Sequence, residues 1–376
     1  MPTASEYGLV FGVAFGVTLV ATPLFGRLAR RLGVMAQPDE ERRVHKVPTP
    51  YFGGLAMLAG FLIALYVARG VDGFSQVFEG SSIPIGVAIG AVVITAVGTI
   101  DDVRPVSAPA KTAGMVLAGS TLYLLGVTMF FFRIPFAGLV VLSSDLAPLV
   151  TVLWVLGMAN AVNFIDGLDG LAAGIVAIAA GAFFLYGHRL ANPENGVIGA
   201  DNASPLLAVL VLGICLGFLP YNVHPARIFM GDGGALLLGL LMASSTVLVG
   251  GQTDDPYSGQ AFFFYLPLFI PFFVMGVPIL DTLFAIIRRA RKRLSPAEAD
   301  KDHLHHRLMR LGHGHRRSVL ILWTWTAILS SFVLYPVYNK GKGDAVVPLG
   351  VAALGLVLYT YFHPGVRRAR SAEGQA

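Results

Sequence analysis

Apolar residues recur along the chain in eleven runs, at about 7–26, 51–68, 83–100, 112–130, 146–162, 168–187, 206–220, 235–250, 262–287, 319–337 and 346–362. An α-helix rises about 1.5 Å per residue, so about 20 residues cross the roughly 30 Å of bilayer hydrocarbon. Most of the runs approach that length. The fifth and seventh are short, as for tilted, broken or re-entrant segments. The first run has no basic residue before it and is too long for a signal-peptide core, so it reads as a permanent span. The pattern predicts an all-α, polytopic integral membrane protein of about 11 transmembrane helices, a single domain over residues 1–376. Residues 288–318 form a basic, histidine-containing loop and residues 366–376 a tail.

Composition agrees: 55% hydrophobic, 13% charged and a mean hydropathy of +0.70 exclude an ordinary soluble domain. Of the 27 Lys and Arg, 22 fall on one set of connections and 5 on the other. Because basic loops stay in the cytoplasm, the N-terminus is expected outside and the C-terminus inside. The net charge of +5 then makes a basic cytoplasmic surface, suited to anionic lipid headgroups or phosphorylated ligands. The run RRARKR (288–293) is equally read as this topology signal alone. One cysteine, Cys215, sits inside a run, which excludes a disulfide framework and a cysteine-rich zinc site.

The polar motifs collect at that same face. GTIDDVRP ends the third run with Asp101 and Asp102, and NAVNFIDGLDGLAAG links the fifth and sixth with Asn160, Asn163, Asp166 and Asp169. YNVHPARIFMGDGG carries Asn222, His224, Arg227 and Asp232; HKVPTPYFGG carries His45 and Lys46; KDHLHHRLMRLGHGH precedes the tenth run. Boundary residues need no function, but adjacent carboxylates repel unless a cation neutralises them. A hard divalent ion such as Mg²⁺, bound by one or two carboxylates plus phosphate oxygens, resolves that repulsion and points to phosphate chemistry at Asp101, Asp102 and Asp232. In DGLDG and GDGG each acid precedes Gly, and both motifs open helices whose N–H groups are positioned to receive phosphate. Asn160, Asn163, Asp166 and Asp169 step by three, which keeps neighbours adjacent on a helix and suits hydrogen bonding to a base edge or sugar. A transporter of nucleotide sugars or organic anions is the competing class. It would place its polar groups near the midplane on broken helices, with repeated halves, and no internal repeat stands out.

Together these motifs, with PILDTLFAIIRR, identify a resemblance over nearly the whole chain to the polyprenyl-phosphate N-acetylhexosamine-1-phosphate transferases, which include the MraY and WecA/TagO branches. The resemblance implies transfer of a sugar-1-phosphate from a UDP-sugar to a membrane polyprenyl phosphate, with release of UMP and a requirement for Mg²⁺, or Mn²⁺ in its place. It implies Asp232 as metal ligand, joined by Asp102, and Asp101 and Asp102 as the acidic pair engaging the lipid phosphate. Asn163, Asp166 and Asp169 would hold the nucleotide. Asn222, His303, His305 and His306 would contact the diphosphate and sugar, His303 as a catalytic residue beside Asp101, Asp102 and Asp232, with Lys46, Lys111 and Arg307 as further substrate contacts. The pattern His303-Leu304-His305-His306-Arg307, in place of three consecutive histidines before Phe-Glu, is similar to the WecA/TagO branch, as is Lys111 nine positions after Asp102. That branch implies UDP-N-acetylglucosamine as donor, undecaprenyl or decaprenyl phosphate as acceptor, and the first membrane step of a cell-envelope glycan at the plasma membrane. The MraY-type muramoyl-pentapeptide transfer is the alternative. A homodimer is a further implication of the resemblance, and nucleic acid is not an expected partner.

The remaining polar residues have plain readings as well. Asp281 fits a bundle pairing as well as a lipid-phosphate groove, and Lys46 fits a generic basic stretch. His313 and His315 read as loop residues. His303 and His306 could share a zinc ion on a helix, but no third ligand is evident. For the reaction, direct attack by the lipid phosphate is favoured over a phospho-enzyme on Asp101 or Asp102. A phosphate with a second pKa near 6 is already largely anionic and needs little base catalysis.

Overall fold

The computed structural model describes residues 2–36, 48–134, 138–191, 198–250, 308–309, 311–339 and 344–362. Helices, numbered among these residues, are α1 (Ala4–Leu32), α2 (Gly53–Arg69), α3 (Ser75–Phe78), α4 (Ile83–Val103), α5 (Ala108–Leu124), α6 (Leu146–Ile165), α7 (Leu171–Ala191), α8 (Ser204–Asn222), α9 (Gly231–Gly250), α10 (Gly314–Tyr338) and α11 (Val346–Phe362). Seven of them are long and apolar enough to cross a membrane, and α2 joins them if its continuation through Asp72–Phe78, bent by 93°, is counted as one span. The protein is an all-α, multi-pass membrane protein. The ninth apolar run, 262–287, and the basic segment around 288–307 lie outside the described residues, as does Asp281.

The two short runs turn out to lie within full-length helices. α6 carries its helix through Asn160 and Asn163 to Ile165, and α8 spans 19 residues to Asn222. Polar residues at their ends lower the local hydropathy without breaking the backbone, because Asn160 donates its amide to the Leu156 carbonyl one turn back. The fourth run does differ from a simple span. Its helix, α5, ends at Leu124, and Gly126 takes a left-handed φ of 100°. Phe131–Ile134 (β3) then pairs antiparallel with Gly138–Val141 (β4), because aromatic and β-branched side chains favour extended backbone there. A second short pair, Met35–Ala36 (β1) with Thr49–Pro50 (β2), ties the end of α1 to the segment entering α2.

α9 is the central helix. Of its spanning window 94% is buried, against 22% for α1, and it packs on α2, α4, α6, α7 and α8. A helix apolar all round belongs inside a bundle, and the sequence GDGGALLLGLLMASSTVLVG has that character. Glycines set its close approaches. A Cβ on Gly98 of α4 would strike the Asp232 and Gly233 backbone, and one on Gly54 of α2 would strike Gly233 and Gly234. Further along, one on Gly239 would strike the Ala159 backbone of α6. Small residues at crossings let helix backbones meet, the usual device where the solvent is lipid.

Candidate active site

The close crossing of α4 on α9 places GTIDDV directly against GDGG. Asp102, in the last turn of α4, accepts the Asp232 N–H on Oδ1 at 2.8 Å and the Gly233 N–H on Oδ2 at 3.2 Å. It therefore caps the first turn of α9, whose N–H groups lack helical partners. Gly231 has φ of 68°, and a Cβ there would run into the Asp102 carboxylate. The amides that the sequence suggested for a phosphate thus already serve a carboxylate of the same chain.

Asp101 turns to a different set of partners. Its Oδ1 accepts the Val106 N–H at 2.7 Å and its Oδ2 pairs with the Lys111 Nζ at 2.9 Å. Lys111, in the first turn of α5, also contacts the Asp232 carboxylate. The repulsion between adjacent acids, which suggested a cation from outside, is eased here by one ammonium and three backbone amides. Even so, Asp232, Asp102 and Asp169 raise the pKa of Asp166, whose carboxyl is pushed up to about 8, first by burial and then by these charges. Asn163, one turn before Asp166, directs its side-chain amide towards the Asp232 carboxylate. Four carboxylates, Asp101, Asp102, Asp166 and Asp232, against the one ammonium of Lys111 among the described residues form an all-oxygen donor set that suits a hard divalent cation.

The DGLDG turn is held from the other side. Asn222 accepts the Gly170 N–H at 3.0 Å and donates to the Ile228 carbonyl at 3.1 Å, so its amide braces two loop ends. Gly170 takes a φ of 75°, which turns the chain into α7. Asp169, with a side chain only 2% exposed, accepts the Ala226 N–H at 3.0 Å and lies 2.8 Å from the His224 Nδ1. His315, in the first turn of α10, stacks on His224 with ring centroids 4.2 Å apart and brings its Nε2 within 3.9 Å of the same carboxylate. Arg316 donates to the His224 carbonyl at 3.2 Å.

Ligand atoms of Asp169, His224 and His315 all lie within 4.8 Å of one another, close enough to suggest a metal. Rings stacked with only 25° between their planes aim their in-plane lone pairs nearly in parallel, so the arrangement is better described as a clamp in which His224 and the Ala226 N–H bond Asp169 and His315 backs the His224 ring. His224 and His315 were not among the site residues expected from sequence. The only hint was that both lie in segments aimed at the same membrane face. His313, by contrast, is buried and bonds the Thr360 carbonyl of α11 at 2.7 Å, a bundle contact. Asn160 is spent within α6 and against the sulfur of Met115. Lys46, His303, His305, His306 and Arg307 lie outside the described residues.

The structure thus brings Asp101, Asp102, Lys111, Asn163, Asp166 and Asp232 into one cluster and sets Asp169 and Asn222 at its flank. Residues 84–250, which contain all of them, match the profile of Glycosyl transferase family 4. A decaprenyl-phosphate N-acetylglucosaminephosphotransferase of Mycobacterium leprae is 39% identical over 353 residues, 93% of this chain and 88% of the relative. The chain belongs to this family. A probable undecaprenyl-phosphate N-acetylglucosaminyl 1-phosphate transferase of Bacillus subtilis is 35% identical over 84% of the chain and 80% of its own length. More distant is a phospho-N-acetylmuramoyl-pentapeptide-transferase of Desulforudis audaxviator, 34% identical over 85% of the chain and 94% of the relative.

Proposed function

We propose that the protein transfers N-acetylglucosamine-1-phosphate from UDP-N-acetylglucosamine to a polyprenyl phosphate of the cell membrane, releasing UMP on the cytoplasmic side. The observation that carries this reading is the meeting of Asp101 and Asp102 with Asp232 around Lys111, groups more than 120 residues apart in sequence. The names of the relatives, and the pattern His303-Leu304-His305-His306-Arg307, support the choice of donor.

Asp232 and Asp102 would hold Mg²⁺, with Asp166 beside them. When bound, the ion neutralises charge on the donor diphosphate and the departing UMP. Lys111 keeps Asp101 and Asp232 together. Asp169 and the Asn163 amide would orient the nucleotide, and His303, His305, His306, Arg307 and Lys46 would supply donors to the phosphates and sugar. An oxygen of the lipid phosphate attacks the sugar-linked phosphorus. The bond from that phosphorus to the bridging oxygen breaks, and UMP leaves with the electron pair.

Purified protein incubated with UDP-N-acetylglucosamine, undecaprenyl phosphate and Mg²⁺ should release UMP, and a chelator should stop it. UMP only with the muramoyl-pentapeptide nucleotide would transfer the protein to the other branch. No UMP, with labelled sugar accumulating inside proteoliposomes, would make it a transporter.

A further inference from the structure

A cavity of about 550 Å³ opens at the end of α1 and is lined by Thr22, Pro23, Gly26, Arg30, His224 and Arg227 among others, with none of the acid-cluster residues in its wall. That volume lies within the roughly 300–1,000 Å³ of clefts that hold small ligands. Among the described residues no carboxylate lines it. Gly26 and the turn at Pro23 keep the α1 wall thin: a Cβ on Gly26 would stand 3.3 Å from Ile228 and 3.9 Å from Nη2 of Arg30, so the Arg30 side chain folds back over the opening. Neither Arg30 nor Arg227 is paired with a carboxylate among the described residues.

The depth of the cavity follows from α1. On the same turns the helix exposes Leu24, Leu28 and Leu32 together with Arg27, Arg30 and Arg31. Leucines that face outward beside arginines mark the passage from hydrocarbon to headgroups, where arginine side chains reach for the interface. A basic pocket between spanning helices at that depth suits a lipid phosphate with its chains lying along the helix.

We propose that this cavity binds the phosphate headgroup of an anionic phospholipid of the surrounding bilayer, held by Arg30 and Arg227, with an acyl chain against Thr22 and Pro23. The site shares no residue with the acid cluster, although His224 and Ala226 of its wall hold Asp169. A lipid seated there would also pin the α8–α9 loop, because Arg227 follows Ala226, whose N–H is bonded to Asp169.

The test is native mass spectrometry of the full chain in detergent, titrated with phosphatidylglycerol or phosphatidylcholine. Wild type should retain phosphatidylglycerol selectively, and R30Q/R227Q should weaken its binding roughly thirtyfold, the effect of two interfacial guanidinium contacts. R30K/R227K, which keeps both charges, should retain most of it. Equal binding of the two lipids to wild type would overturn the proposal whatever the variants do. So would undiminished phosphatidylglycerol binding by R30Q/R227Q, or its one-for-one displacement by undecaprenyl phosphate, which would assign the cavity to the acceptor lipid.

Discussion

The side chain of Asp102 holds the backbone of Asp232: two N–H groups of the α9 first turn, at 2.8 and 3.2 Å, end on its two carboxylate oxygens. One acid of the site thereby fixes the position from which the other projects. Replacing Asp102 by Ala removes both acceptors. A lost N-terminal cap costs about 1 kcal/mol, so a modest fall in melting temperature is expected. UMP release should fall much further, on the order of a hundredfold or more, because Asp232 loses its anchor and the cluster loses a carboxylate. Asp102→Asn keeps the acceptor oxygen and should recover most of the stability but little of the activity, as thermal unfolding and UMP assays on the same preparations would reveal.

Lys111 bridges Asp101 and Asp232, and its removal leaves two partly buried carboxylates facing each other. Breaking such a pair by deleting one partner costs up to about 3 kcal/mol. Lys111→Met should therefore unfold at a lower temperature than wild type, and added Mg²⁺ should restore more stability to it than to wild type. Equal Mg²⁺ responses in the two proteins would mean that the ion does not sit among these carboxylates.

Much of this arrangement was legible in the sequence at the level of elements. Ten of the eleven apolar runs coincide with described helices, because burial in lipid demands hydrogen-bonded helical backbone over their length. The acids were visible too, since each carboxylate at the end of an apolar run is conspicuous. Their pairing was hidden. Asp102 and Asp232 are 130 residues apart, and nothing local marks Asp102 as the cap of a helix so distant in sequence. His315 looked like a loop residue because Gly312 and Gly314 flank His313, yet α10 begins at Gly314 and turns its ring onto His224. The hairpin β3–β4 was missed because Phe130, Phe131 and Phe132 raise hydropathy as strongly as they raise strand preference.

The α4–α9 crossing makes a sharp steric prediction. Gly98→Ala would drive a methyl into the backbone of Asp232 and Gly233, whereas a Cβ on Gly157 of α6 meets nothing within 4 Å. Overpacking of this kind costs about 1–3 kcal/mol and shifts backbone. Gly98→Ala should lower both the melting temperature and UMP release, since the displaced atoms belong to the site. Gly157→Ala should be neutral or slightly stabilising by both measurements.

On the proposed function, Asp169 serves the nucleotide and not the metal. Asp169→Asn should raise the KM for the UDP-sugar severalfold or more and leave the Mg²⁺ concentration for half-maximal activity nearly unchanged. His224→Ala should do the same more weakly, because the Ala226 N–H still holds the carboxylate. A changed Mg²⁺ requirement with an unchanged donor KM would move the metal to this turn.

Asp166 gives the pH dependence. Its carboxyl is pushed up to about 8 by burial and by the charges of Asp232, Asp102 and Asp169, far above the ordinary value of 3.8. A group whose folded pKa is raised binds its proton more tightly in the folded state. As pH rises from about 4 the unfolded chain releases this proton while the folded one retains it, so stability falls, by up to about 1.4 kcal/mol per pH unit, until the folded group ionises near 8. In the presence of a chelator, wild type should lose stability steadily between pH 5 and pH 8 and level off above. Asp166→Asn has no proton to lose, so its melting temperature should change less over the same window and exceed that of wild type at pH 8, although its activity is lost. Mg²⁺ should flatten the wild-type profile as well, because a cation among the carboxylates favours the ionised form. Melting curves across this range, with and without Mg²⁺, test all three expectations, and identical slopes for wild type and Asp166→Asn without the ion would show that Asp166 is already ionised in the fold.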